Sequence, residues 1–270
     1  MEIYLKISNF VNLYFNSTMP ENIIFTEAHE FSQKTRFSNA FNYLVSLLFS
    51  LLSVFIGIRI FEYLYFNKYE EVPGKALKLF FIGLNGDLLA VLITGFISFI
   101  PFLLIFLVNK RFTEILFLVI YSFILIFKVS LLHYYFQALA PLDARFWAYT
   151  PEEILYTINA AGGISITIIS SFFLCIGWLI GVYLLIKKAT YDATFKVIFF
   201  LLFPISLLLY SFNKPKRSEY KTEGEYFLVM EKLSYFIDES IGYYYNLQQK
   251  TIDDKMRLSE DYYLDNPPQQ

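Results

Sequence analysis

Polar and charged residues are spaced along this chain so that they leave long unbroken apolar runs. Phe37 to Ile58 carries no charge over 22 residues and is closed by Arg59 and Glu62. Leu88 to Asn109 is a second run of 22, extending back to about Leu79 if Asp87 is admitted. Phe112 to Ala140 is apolar apart from Glu114, Lys128 and His133. Ile154 to Ile186 is free of charge over 33 residues, and Gly162-Gly163 marks where its spanning helix begins. Val197 to Asn213 is a shorter run of 17, interrupted by Pro204. A bilayer core of about 30 Å needs roughly 20 apolar helical residues, so the pattern predicts five crossings.

Each crossing must be helical, because lipid offers no partner to the N–H and C=O groups of an open strand. A membrane barrel would show alternating segments of about ten residues instead of continuous runs. The fold class expected is therefore all-α and polytopic. Residues 1–36 form a cytoplasmic tail, 37–212 a five-helix membrane domain, and 213–270 an amphipathic helical stalk. Residues 1–36 hold no compact apolar run of the kind a secretory signal needs.

An odd number of crossings sets the two ends of the chain on opposite faces. With the N-terminus inside, the basic residues flanking the runs divide seven inside to eight outside, a tie. The two shortest turns, Lys110-Arg111 and Lys187-Lys188, are the most reliable markers of the inner face. Both put the N-terminus inside and the C-terminus outside. A multi-pass protein of the bacterial cytoplasmic membrane, touching membrane lipids, is the expectation.

Composition supports this picture. Hydrophobic residues make up 56% of the chain and charged residues 17%, where a soluble domain carries about 25% charge. The net charge of −2 gives no reason to expect nucleic acid, and the single Cys175 allows no internal disulfide.

Outside the runs, two segments carry structure. Asp143, Arg145 and Trp147 precede Thr150-Pro151-Glu152-Glu153, where a capping hydroxyl, a proline in the first turn and two acids start a helix. The aromatic residues here suit the headgroup zone, so this segment is expected to lie against the membrane surface. After Asn213, Tyr226, Met230, Leu233, Ile237, Ile241 and Tyr244 form one stripe of an amphipathic helix. Asn266-Pro267-Pro268-Gln269-Gln270 then reads as a linker, so the segment looks like a stalk leading to a further domain.

The candidate chemistry lies in the ionisable groups within the runs: Arg59, Glu62, Asp87, Lys128 and His133. Charge inside a membrane is costly and therefore a functional candidate by default. The simplest arrangement pairs Asp87 with Lys128 or Arg59 inside the bundle. A small transporter or channel built around Asp87, Lys128 and His133 is the alternative. Another is an accessory subunit that docks a partner through the stalk. No His or Cys pair has metal-ligand spacing, and no phosphate or dinucleotide loop is present. The residues assign no catalytic, cofactor-binding or metal site.

Several features fall in a particular order. A Gly83-to-Asp87 element opens the second run, and His133-Tyr134-Tyr135 leads to Pro141-Leu142-Asp143. The stretch Tyr149 to Ile154 and a stalk after the fifth run come next. This order resembles the membrane part of the lipoteichoic acid synthase family, the sulfatase-type phosphoglycerol transferases. The likeness covers roughly residues 37–250. It implies an outward-facing α/β catalytic domain beyond the stalk. That domain would carry a threonine nucleophile and a divalent metal, commonly manganese, none of it in this chain. A missing or separate extracytoplasmic catalytic domain is thus the partner the resemblance implies.

Overall fold

The computed structural model describes residues 21–69, 76–160, 166–212 and 215–265, which are helical throughout apart from short connections and contain no strand. In chain order the helices are α1 (Glu21–Tyr69), α2 (Ala76–Val108), α3 (Lys110–Ala138), α4 (Pro151–Ala160), α5 (Ile166–Ile186), α6 (Ala193–Phe212), α7 (Glu223–Val229) and α8 (Lys232–Asp265). Short 3-10 turns lie at Ala144–Ala148 and Arg217–Glu219. Four segments are long and apolar enough to cross a membrane: Phe37–Lys68, Leu77–Val108, Lys110–Ala138 and Ile166–Ile186. The fifth run falls on α6, a 20-residue helix that continues through Pro204.

Several boundaries differ from those the apolar pattern predicts, each for a local reason. Arg59 and Glu62 do not end the first crossing, since α1 runs on to Tyr69. Their charges are neutralised inside the bundle, so they need not reach water. Asn109 belongs to the start of α3: its side chain accepts the Phe112 N–H at 3.1 Å, and it alone separates α2 from α3. At the other end of α3, Leu139 turns into the left-handed region at φ 53°, and its N–H bonds the Tyr135 carbonyl. Gly162-Gly163 lie outside the described residues, and α5 begins at Ile166.

The helix start at Thr150 forms as expected. The Thr150 N–H donates to Glu153 Oε2 at 2.7 Å and the Glu153 N–H to Thr150 Oγ1 at 3.3 Å, closing a reciprocal cap around Pro151 and Glu152.

α1 is the central helix, packed against α2, α3 and α5. Leu44, Leu47, Leu51 and Phe55 are fully buried or nearly so. Between crossing helices there is no water to expel, so association depends on close packing and polar contacts. Here the packing is largely aromatic. Phe102 meets Phe117 edge-on at 4.9 Å, Tyr65 stacks on Phe136 at 4.2 Å, and Phe41 meets Phe199 of α6 at 5.9 Å. The opposite faces expose Ile97, Leu104, Phe123, Phe173 and Leu185, an apolar surface suited to lipid and not to water.

The segment after α6 returns to the bundle, and the expected stripe is split in two. α7 ends at Val229, Met230 is extended (φ −66°, ψ 136°), and α8 starts afresh at Lys232. Leu228, Val229, Met230 and Phe236 are buried, whereas Ile237, Ile241 and Tyr244 of the stripe are exposed. Phe236 sits in an aromatic seam, 5.4 Å from Phe127 and 5.8 Å from Trp147. Phe236→Ala is expected to cost about 3 kcal/mol of that docking. Hydrogen exchange over residues 223–244 should accelerate while α1 to α3 keep their protection.

Candidate functional site

Six ionisable side chains meet where α1, α2 and α3 receive the junction of α7 and α8, and none is more than 6% exposed. Arg59 and Glu62 are three residues apart on α1 and so share a face, with Arg59 Nη1 at 2.9 Å from Glu62 Oε2. Arg59 Nε donates to Asp87 Oδ2 at 2.6 Å, and Nη1 donates to the Leu228 carbonyl of α7 at 2.7 Å. Lys128 of α3 donates to Asp87 Oδ1 at 2.7 Å and to Glu231 Oε1 at 2.5 Å. Lys232 pairs with Glu62 and also donates to the Phe227 and Met230 carbonyls.

The cluster holds three cations and three anions. The four charges of the crossing helices balance on their own, and so do Glu231 and Lys232. Docking therefore joins two neutral sets through two cross-pairs, Glu231 to Lys128 and Lys232 to Glu62. Aromatic faces complete the cations' surroundings: Lys128 lies 4.0 Å over the Phe55 ring and Lys232 4.3 Å over Tyr135. Burial lowers the Lys232 ammonium pKa, against the opposing pull of Glu62. Glu231 also caps α8, its Oε2 accepting the Ser234 N–H at 2.6 Å. The space enclosed by the cluster is about 10 Å³, near the minimum for one water molecule.

The Gly83-to-Asp87 element now has a steric reason. A Cβ at Gly83 would lie 2.9 Å from Arg59 Nη1, and one at Gly86 would touch Glu231 Cβ at 3.4 Å. Both glycines let partner side chains pass close to α2, Arg59 on its way to Asp87 and Glu231 on its way to Lys128.

The junction lies deep in the bundle. Lys110 Nζ donates to Tyr43 Oη at 2.6 Å, which aligns the α2–α3 turn with Tyr43. Arg59 is 16 residues further along α1, about 24 Å at 1.5 Å per residue.

Of the five candidates, Arg59, Glu62, Asp87 and Lys128 come together, and Asp87 pairs with both Arg59 and Lys128. His133 does not join them. It stands five positions beyond Lys128, about 140° further round the helix, and accepts from the Gln137 amide at 2.9 Å. Glu231 and Lys232 were missed. Two adjacent opposite charges inside an otherwise apolar stripe were their only signal.

The residues expected on a surface helix divide. Asp143 caps the 3-10 turn through the Arg145 N–H at 3.0 Å and pairs with the Arg145 side chain at 2.7 Å. Trp147 packs on α8, its indole N–H donating to Ser240 Oγ at 2.8 Å and its rings lying 5.9 Å from Tyr244. Glu152 and Glu153 are exposed on the first turn of α4. Among the described residues, no group of three or more His, Cys, Asp and Glu side chains could hold a metal ion.

Two outcomes are expected. Exchanging the junction charges, Glu231→Lys with Lys232→Glu, keeps the composition but sets like charges against Lys128 and Glu62. Breaking a buried pair costs about 3–5 kcal/mol, so α8 should undock, read as lost hydrogen-exchange protection over residues 223–244. The neutral pair Glu231→Gln and Lys232→Gln leaves the other four charges balanced and should lose much less. The second outcome concerns Asp143. Partial burial raises its carboxyl pKa, but hydrogen bonds and charge from Arg145 outweigh this and hold it below the usual aspartate range. A depressed carboxyl stabilises the folded state above its unfolded pKa. The contribution is therefore full at neutral pH and is lost as pH falls through the ordinary aspartate range and below. Trp147 fluorescence should report the loosening in acid, and Asp143→Asn should abolish that acid transition. The sequence matches no protein-family model, and no curated protein or solved structure is significantly similar to the chain.

Proposed function

We propose that the chain is an integral membrane platform. Five helices cross the bilayer, α6 being the fifth, and together they hold α8 in a fixed position on the outer end of the bundle. The observation that carries the reading is the six-charge junction. It makes the position and direction of α8 a property of the crossing helices, as a platform for an extracytoplasmic domain requires.

The finer assignment is to the membrane portions of bacterial phosphoglycerol transferases of envelope-polymer synthesis. Its support is where the resembling stretches fall. Gly83 to Asp87 lies at the junction, Tyr135 lies beneath Lys232, and Asp143 and Trp147 lead onto α8. Gly83 to Asp87, Tyr135 and the segment around Trp147 thus border the docking place of α8. In this reading the catalytic domain, with its threonine and divalent metal, is carried by or docks on α8. A carrier or channel built on Asp87, Lys128 and His133 is not favoured, because the first two are closed in ion pairs and His133 points elsewhere.

The test uses the full chain in bacterial cells, with Cys175→Ser as background. An impermeant maleimide is expected to label Glu239→Cys on α8 from outside and to leave Lys188→Cys unlabelled until the membrane is opened. The reverse pattern overturns the topology. A photo-crosslinker at Tyr245 is expected to capture a sulfatase-type phosphoglycerol transferase domain. Capture of unrelated proteins alone would remove the finer assignment and leave the platform standing.

A further inference from the structure

α8 leaves the bundle across α3 and not along it. Its first residues are held at the junction, with Lys232 4.3 Å over the Tyr135 ring. Four residues further on, Phe236 meets Phe127 at 5.4 Å, eight positions before Tyr135 on α3. A helix continuing outward beside α3 would by then have moved about 6 Å toward the end of α3. Instead α8 passes to the loop that follows α3. Trp147 donates to Ser240 Oγ at 2.8 Å, and its rings lie 5.9 Å from Tyr244.

These contacts fix the faces of α8. Phe236 points to α3, and Tyr235 and Asp238 line a small cavity against Ile82 of α2 and Pro215. At 100° per residue, Ile237, Ile241 and Tyr244 fall within about 60° of one another, on the side turned away from both α2 and α3. All three are exposed. Glu239 and Asn246 lie nearly opposite that arc and are exposed too, so α8 keeps one apolar and one polar face open.

The apolar arc does not stand alone. Tyr244 and Phe236 both pack on Trp147, and Phe236 packs on Phe127. Phe127 and Phe123, four residues apart and both exposed, belong to the outward face of the crossing helix α3. A line of contacts therefore leads from the lipid-facing side of α3 through Trp147 onto α8. Along it stand exposed Trp147, Tyr149 and Tyr244, rings with a polar atom of the kind that settles in the headgroup zone.

We propose that α8 lies in the plane of the membrane, with Ile237, Ile241 and Tyr244 inserted among the headgroups and upper acyl chains around the outer end of the bundle. The surface that covers the arc is the bilayer itself. Insertion is driven by apolar area, because the charges beside the arc, Asp238 and Glu239, are acidic and attract no anionic headgroup. Standing upright, the 34 residues of α8 would reach about 50 Å outward. Lying flat, they hold an extracytoplasmic domain close to the lipid surface. The inference rests on the membrane-embedded reading of the crossing helices and does not need the phosphoglycerol assignment.

The test uses the full chain with Cys175→Ser in phosphatidylcholine vesicles, carrying a nitroxide at Ile237→Cys, Ile241→Cys, Tyr244→Cys or Glu239→Cys. Relaxation by oxygen, which concentrates in lipid, is compared with relaxation by a water-soluble nickel chelate. Oxygen is expected to dominate at the three arc positions, at one common depth, and nickel at Glu239→Cys. Replacing part of the lipid by phosphatidylglycerol, or raising the salt, should leave these depths unchanged. A depth that changes by about 10 Å from position 237 to position 244 shows α8 upright and overturns the proposal. Nickel access at all four positions also overturns it. So does shielding of the arc from both reagents, which would put a protein partner or a second copy there. Hydrogen exchange over residues 223–236 checks that each variant stays docked. Outside maleimide labelling of Glu239→Cys reads the topology by itself, so the platform and the flat helix can fail separately.

Discussion

A charged group held in an apolar slab must find its counter-charge inside the protein, and that requirement organises the bundle. Taking a carboxylate or ammonium out of water costs several kcal/mol, which is recovered only with close partners of opposite sign and further hydrogen bonds. Here Asp87 is bracketed by Arg59 and Lys128, so α1, α2 and α3 can slide relative to one another only by opening a buried pair. Apolar packing alone would tolerate several registers, because most side chains between crossing helices have similar neighbours. The charges remove that freedom.

The same constraint fixes the placement of α7 and α8. Glu231 and Lys232 form a neutral pair, yet each faces the opposite charge across the junction, and only one orientation of α8 satisfies both. The short α7 supplies the Leu228 carbonyl to Arg59 and the Phe227 carbonyl to Lys232, so its backbone is part of the network. The break at Met230 has the same origin. A continuous helix would spread adjacent residues 100° apart around its axis, whereas the turn lets Glu231 and Lys232 both enter the bundle. Phe236, Trp147 and Phe146 then pack together against the first turns of α8.

The two sides of α3 divide the work. Lys128 serves the junction that fixes α8, and His133, less than two turns further on, faces a groove beside α5. α5 contributes few buried residues, Cys175, Leu179 and Tyr183 among them, and leaves room between itself and α1.

The apolar runs determined the helical class and four helices long enough to cross a membrane, and the Thr150 cap determined the start of α4. An apolar stretch of that length has one stable form in lipid, and a Thr-Pro-Glu-Glu start satisfies its orphan N–H groups locally. They also required partners for Asp87, since a carboxylate so placed cannot remain alone. Four things were decided only by the tertiary structure: that Arg59 and Glu62 lie inside the bundle and not at its edge, that Glu231 and Lys232 complete their pairing, that the 226–244 stripe is broken, and that His133 turns to the opposite side of α3. Each depends on segments far apart in the chain, Lys232 reaching Glu62 across 170 positions. A charge at the end of an apolar run looks the same in sequence whether it meets water or a buried partner, and only the approach of the other helices distinguishes the two.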